Sequence, residues 1–146
     1  VHTVEAGVLM ARRMSVSMTL DAVRARTKTV TRRHVDTWRS LQPGDRLTLI
    51  EKGMGLPKGA KQVVVAEVEV VDVRVETMAE VTFAEVHREG LHLEALAALA
   101  AGEASSIEEW FVAFWLKGHG YGCPVPALAL GVPCRRIEWR YLDGAQ

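Results

Sequence analysis

Residues 63–75, V-V-V-A-E-V-E-V-V-D-V-R-V, carry the strongest strand signal in the chain, and the phase of that signal restricts the fold. Val64, Ala66, Val68 and Val70 share one face, after which Val71, Val73 and Val75 take over the apolar positions. A regular strand alternates faces strictly, so the slip at Val70-Val71 predicts a β-bulge or a sharp bend. A long strand bent in this way curls its sheet toward a small barrel.

The flanking segments supply partners for that strand. Leu47 and Leu49 alternate with Thr48 and Ile50 in a strand over 46–51, opened by the turn Gln42-Pro43-Gly44-Asp45. Between the two strands, K-G-M-G-L-P-K-G-A-K at 52–61 predicts a mobile hairpin loop, in which Lys52 and Lys58 are candidate phosphate contacts. Ile137, Trp139 and Tyr141 alternate with Arg136, Glu138 and Arg140, giving a closing strand with one apolar and one charged face. Near the start, Val16, Met18, Leu20 and Val23 pass from alternating to helical spacing, which fits a short strand and then a short helix opening near Thr19. Residues 28–33 read as a further strand by their Thr and Val content.

Helical signals gather after the long strand. Thr82-Phe83-Ala84-Glu85 has the spacing of a capping box, residues 94–101 are rich in Ala and Leu, and Ser105 or Ser106 with Glu108 or Glu109 opens a helix through Lys117. Trp110, Phe111, Phe114 and Trp115 in that helix read as core rather than as a base-stacking platform. Residues 118–122 predict a flexible break and 124–133 an irregular connection. Strands at both ends with a helical insertion give the α+β class: a small, mainly antiparallel β-barrel decorated by several helices.

At 146 residues and 49% hydrophobic content the chain is expected to form a single domain over 10–146, preceded by an extension at 1–9, with Met10 or Met14 as a natural start. No stretch approaches the roughly 18 to 20 apolar residues of a membrane span, and the N-terminus lacks signal-peptide regions, so a cytoplasmic location and no membrane partner are expected. Cys123 and Cys134 read as free thiols. The H-x3-C-x10-C spacing of His119, Cys123 and Cys134 lacks a second close pair, so neither a metal site nor a cofactor is expected.

Net charge is zero, but it is segregated: residues 11–61 hold twelve basic and four acidic residues, net +8, whereas 67–109 hold two basic and eleven acidic, net −9. That asymmetry suits either a positive groove beside an acidic helical layer or opposite charges pairing across the folded surface. The basic half peaks at 24–33, R-A-R-T-K-T-V-T-R-R, with five cations, three threonines and no acid. Arg32 and Arg33 have the forked geometry that binds phosphate, Arg26 and Lys28 add charge, and Thr29 and Thr31 add hydroxyls that hydrogen-bond phosphate or a base edge. On a regular strand Thr29, Thr31 and Arg33 share one face and Lys28, Val30 and Arg32 the other, so the six cannot all line one pocket.

Lys28-Thr29-Val30-Thr31-Arg32-Arg33 after a short helix, the Gln42-Pro43-Gly44-Asp45 turn, Glu51-Lys52-Gly53-Met54-Gly55-Leu56, His87-Arg88-Glu89-Gly90 and the closing strand at 136–142 together resemble the ASCH domain, a branch of the PUA-like β-barrel superfamily. The resemblance spans about residues 12–142 and is nearest to the short stand-alone versions of phages and bacteria. It implies a cleft between barrel and helices that binds RNA or a nucleotide, with DNA as a competing partner. It also implies a second reading, because some members similar in this motif are amidohydrolases that deacetylate N4-acetylcytidine. Carried over by motif, Lys28 would be the base, Thr31 the nucleophile and Glu89 the acid or orienting group. Bringing Lys28 and Thr31 together requires a turn or bulge at Thr29. Ribonuclease activity, for which His34 is the nearest proton-transfer candidate, and a protein-interaction module complete the alternatives. One departure from the family pattern stands out: Arg26 occupies the place of a Gly that would permit close approach or a positive φ.

Overall fold

The structure, a computed structural model, describes residues 12–121 and 130–143. The extension expected at 1–9, Cys123 and most of the connection expected at 124–133 lie outside the described residues. β1 (Arg12–Ser15), a 3-10 turn (Ser17–Thr19) and α1 (Leu20–Arg24) lead to β2 (Val30–His34), β3 (Arg46–Ile50) and β4 (Val64–Thr77). A second 3-10 turn (Met78–Glu80) precedes α2 (Phe83–Arg88), α3 (His92–Ala100) and α4 (Ile107–Gly118), and β5 (Pro133–Tyr141) closes the fold. The described strands form one sheet in the order β1-β3-β4-β5-β2, with β1 parallel to β3 and every other pair antiparallel.

The phase slip in β4 is a bulge at Val71: pairing with β5 shifts register between Val70 and Asp72. The Pro-Gly-Asp turn docks there, the Gly44 N–H donating to the Val70 carbonyl (2.8 Å) and the Val70 N–H to the Asp45 carbonyl (2.8 Å). Gly44 has φ +93°, which a glycine adopts without strain. A second shift, between Leu49 and Ile50 of β3, adds to the bend. The sheet thus curls into a half-barrel whose two edges, β1 and β2, are the first two of the described strands.

Two apolar clusters hold this shape. Met14, Val16, Leu47, Leu49, Val68 and Trp139 pack with others inside the curl, while Met78, Val86, Leu91, Phe111, Trp115 and Cys134 pack in the helical layer. Each fully buried Leu or Val contributes about 1.5–3 kcal/mol. Alternation along β5 divides its residues between them, Ile137, Trp139 and Tyr141 facing the curl and Cys134 the helices. Arg136 departs from expectation. On the charged face of β5 it is buried, because α2 covers that face and Glu85 takes its guanidinium in two bonds of 2.6 and 3.1 Å.

That use of Glu85 also alters the helix start. Thr82 caps α2 by accepting from the Glu85 N–H (3.3 Å), but the Glu85 carboxylate turns to Arg32 and Arg136 instead of back to the cap. The reciprocal capping box sits one element earlier, between Thr77 and Glu80. Ser106 caps α4 (Glu109 N–H, 3.0 Å), which runs on through Gly118 into the segment expected to break.

Candidate functional site

Strand register sets Arg32 of β2 opposite Arg136 of β5, and Arg136 opposite Arg74 of β4. Three guanidiniums side by side repel one another, so the row requires facing carboxylates. The first turn and the C-cap of α2 bring Glu85 and Glu89, and β4 brings Glu76. Arg32, whose side chain is fully buried, donates to Glu76 (3.0 Å), Glu85 (2.5 Å) and Glu89 (3.1 Å). Burial works against the ionised Glu85, yet hydrogen bonds from Arg136 and Arg32 outweigh it and bring its pKa down to about 2. Burial likewise opposes charge on Arg32, and Glu89, Glu85 and Glu76 together raise its pKa. Around this row the segregated charges of the sequence pair with each other.

Lys28 lies just before β2, outside the alternation of the strand. Its carbonyl accepts from Trp139 Nε1 (3.0 Å) and the Tyr141 hydroxyl, which anchors the backbone to β5. Its Nζ donates to the Glu89 carbonyl (2.7 Å) and to Glu89 Oε1 (3.2 Å). Burial lowers the Lys28 pKa below the ordinary lysine value; Glu89 opposes that shift, and Arg33 and Arg32 add to it. On the other face of β2, Thr31 accepts from Arg33 Nε (3.2 Å), and Arg33 Nη2 donates to the Ser15 carbonyl of β1 (2.9 Å). Arg33 therefore ties the two edges of the half-barrel together.

Both faces of β2 open onto one cleft of about 200 Å³ because β2 is an edge strand. Lys28, Thr31, Arg32, Arg33 and Glu89 form its charged side, and Ser15, Ser17 and Thr19 its hydroxyl-bearing rim. Met18 adds an apolar side chain to that rim, and the remaining wall is Leu91 with Phe111, Phe114, Trp115 and His119 on and just after α4. Phe111 and Trp115 are core residues, as their pattern suggested, and they also face the cleft.

The other expected site residues lie elsewhere. Thr29 is taken up by Arg88, accepting from its Nε (3.1 Å) while its own N–H donates to the Arg88 carbonyl (2.9 Å). Arg26 pairs with Asp143 and stacks over Tyr141 at 5.1 Å. Lys52 and Lys58 are exposed in the β3–β4 loop, and His34 accepts from the Asp36 N–H (3.1 Å); none of these lines the cleft.

No family model matches the sequence, and no curated protein does. The fold, however, matches solved structures. A protein from Enterococcus faecalis V583 of the DUF984 family superposes with a TM-score of 0.54 at 13% identity, over 86% of this chain and 68% of that one. An ASCH domain from Lactobacillus crispatus JV V101 superposes with a TM-score of 0.53 at 12% identity, over 89% and 79%. The chain has the ASCH-domain fold.

The departure at Arg26 acquires a meaning within the ASCH fold. Arg26 adopts φ +63°, the left-handed conformation that a glycine would take without strain. Left-handed backbone costs a non-glycine residue roughly 1–2 kcal/mol. Here the side chain offsets it through Asp143, the Val23 carbonyl (2.9 Å) and the Tyr141 ring. Arg26→Gly should therefore unfold in urea within about 1 kcal/mol of the parent, whereas Arg26→Ala, which keeps the strain and loses the contacts, should lose about 1–2 kcal/mol. Equal midpoints for the two variants would contradict this account.

The sequence pattern had no means of placing His119, considered there only beside two cysteines, in the ASCH cleft. It reaches the cleft because α4 continues to Gly118 and its C-terminal turn returns to β2, where Trp115 Nε1 donates to the Arg32 carbonyl (2.9 Å). The hydroxyls of Ser15 and Ser17 gave no local signal either, since they reach the site only through the curl of the sheet.

Proposed function

We propose that the cleft binds a planar nucleobase carrying an exocyclic amide and hydrolyses that amide, with Thr31 as nucleophile, Lys28 as base and Arg33 holding the carbonyl oxygen. The observation that carries this reading is the convergence of buried Lys28, Thr31 and Glu89 on one cleft of base-sized volume with an aromatic wall. Low-dielectric surroundings favour the neutral amine of Lys28, which is the form that takes a proton from the Thr31 hydroxyl. Thr31 Oγ then bonds to the acyl carbon, and the carbonyl oxygen gains charge beside the Arg33 guanidinium. The C–N bond breaks as Lys28 returns the proton to the leaving amine. Water, deprotonated by Lys28, bonds to the acyl carbon of the threonyl ester; the bond to Thr31 Oγ breaks, Oγ takes the proton back from Lys28, and the carboxylic acid leaves.

Recognition of an RNA backbone has weaker support. Arg32 and Arg26, both expected at phosphate, spend donors on carboxylates of this chain. Lys52 and Lys58, also expected at phosphate, are exposed in the β3–β4 loop and do not line the cleft.

Turnover of N4-acetylcytidine and related acylated pyrimidines tests the reading directly. Thr31→Ala should reduce kcat to background, and Lys28→Ala by about 10²–10⁴-fold. Because the base must be unprotonated, kcat should rise with pH, with a midpoint below the usual lysine value. Glu89→Gln removes the carboxylate that opposes the shift and should move that limb further toward acid. No turnover and no nucleoside binding by the intact protein would remove the proposal; full activity in Thr31→Ala would remove its nucleophile.

A further inference from the structure

His119 stands at the C-terminal end of α4, on the wall of the cleft, and the proposed hydrolysis makes no use of it. Its ring lies against the Trp115 indole, centroids 3.8 Å apart and planes inclined by 18°, which fixes its plane. Its Nδ1 is 2.7 Å from the Trp115 carbonyl. A carbonyl oxygen only accepts, so the proton sits on Nδ1 and Nε2 carries a lone pair. Burial lowers the His119 pKa; the bond to the Trp115 carbonyl opposes this, and Arg33 and His34 add to it, so the neutral ring is favoured.

The rest of that wall offers a ligand no acceptor. Leu91, Phe111 and Phe114 are apolar, and the one polar atom of the Trp115 side chain is a donor already given to the Arg32 carbonyl. The β2 side is rich in donors: Lys28 Nζ, the Thr31 hydroxyl and the Arg33 guanidinium. A secondary amide in the trans form points its carbonyl oxygen and its N–H in opposite directions. An amide whose oxygen rests on Arg33 therefore turns its N–H toward the α4 side.

We propose that His119 Nε2 accepts the N–H of the scissile amide, making His119 the residue that selects secondary over tertiary amides. This rests on the amidohydrolase reading above and adds to it a substrate class and a specificity-determining side chain. The contact orients the amide and involves no proton transfer, so its loss falls on binding and discrimination ahead of chemistry. An N-alkylated amide leaves Nε2 unpaired and places a methyl against it, and a buried polar group left without its partner discriminates strongly.

The test uses the intact protein and its His119→Phe variant, which keeps a ring on Trp115 and removes the acceptor. N4-acetylcytidine and N4-acetyl-N4-methylcytidine are the paired substrates. The parent should prefer the secondary amide by 10-fold or more in kcat/KM, and His119→Phe should lose most of that preference, chiefly through KM, with Thr31-dependent turnover retained. Equal preference in both proteins overturns the inference while leaving the hydrolase reading intact. Absence of turnover and of binding in the parent overturns both. Nitrogen-15 correlation spectra of His119 in the unliganded parent give a check independent of activity: a proton on Nδ1 supports the assignment, and a proton on Nε2 overturns it.

Discussion

Replacing Arg32 with alanine is expected to lower the unfolding free energy by about 3–5 kcal/mol near neutral pH, the usual cost of stranding a buried charge. Arg32 is not a surface cation that water replaces. Its side chain is fully buried and it contacts three carboxylates, from β4, α2 and the α2 cap. Removing it leaves Glu76 with Arg74, Glu85 with Arg136 and Glu89 with Lys28, each carboxylate short of a donor it has in the parent. Arg32→Lys should recover only part of the loss, because one ammonium cannot span three acceptors held by separate elements.

The pH dependence of that difference supplies a sharper check. Glu85 has a folded pKa of about 2, well below its unfolded value, so its ionisation stabilises the fold above the unfolded pKa. That contribution fades as pH falls through the unfolded value toward about 2. Arg32→Ala raises the folded pKa of Glu85 and so reduces the contribution itself. Urea titrations at a series of pH values should show the parent and Arg32→Ala differing most above about pH 5 and converging as pH falls toward about 2. A gap independent of pH would assign the loss to packing and not to the carboxylates.

The contrast between Arg32 and its neighbours shows which features of the fold were legible. The bulge at Val71 could be read because a one-residue phase slip is a local event written in consecutive residues. The Pro-Gly-Asp turn and the Ser106 cap are local in the same sense. The fate of the arginines was not. Arg32, Arg33 and Arg26 look alike in the chain, yet one is sealed under α2, one bridges two sheet edges and one stacks on Tyr141. Those outcomes depend on register across β2, β5 and β4 and on where the acidic α2 lands, which are long-range facts. The same limit explains Lys28 and Thr31. Alternation set them on opposite faces, but the strand starts at Val30 and lies at the sheet edge, so both reach one cleft without a bulge at Thr29.

Gly90→Ala is the second substitution with a large expected effect, and it reaches both stability and the site. Gly90 follows the cap of α2 at φ +83°, its N–H donating to the His87 carbonyl (3.0 Å) and the Leu91 N–H to the Val86 carbonyl (3.3 Å). These are the paired bonds of a Schellman ending, which places a left-handed residue at this position. A β-carbon here would lie 2.6 Å from the Ala22 Cβ of α1 and 3.4 Å from the Lys28 Cβ. Ala22 has no rotamer to change, so α1 and α2 must separate. Left-handed strain of roughly 1 kcal/mol and overpacking of about 1–3 kcal/mol predict a loss of about 2–4 kcal/mol. The Glu89 carbonyl belongs to the peptide that joins Gly90 and is the 2.7 Å partner of Lys28 Nζ, so the same shift displaces the proposed base. Adding Ala22→Gly removes the clash but not the strained φ. The double variant should therefore be more stable than the sum of the two single losses allows, by about 1 kcal/mol or more. Its nucleoside turnover should also recover relative to Gly90→Ala alone. Strict additivity would mean that the helices do not meet at this contact.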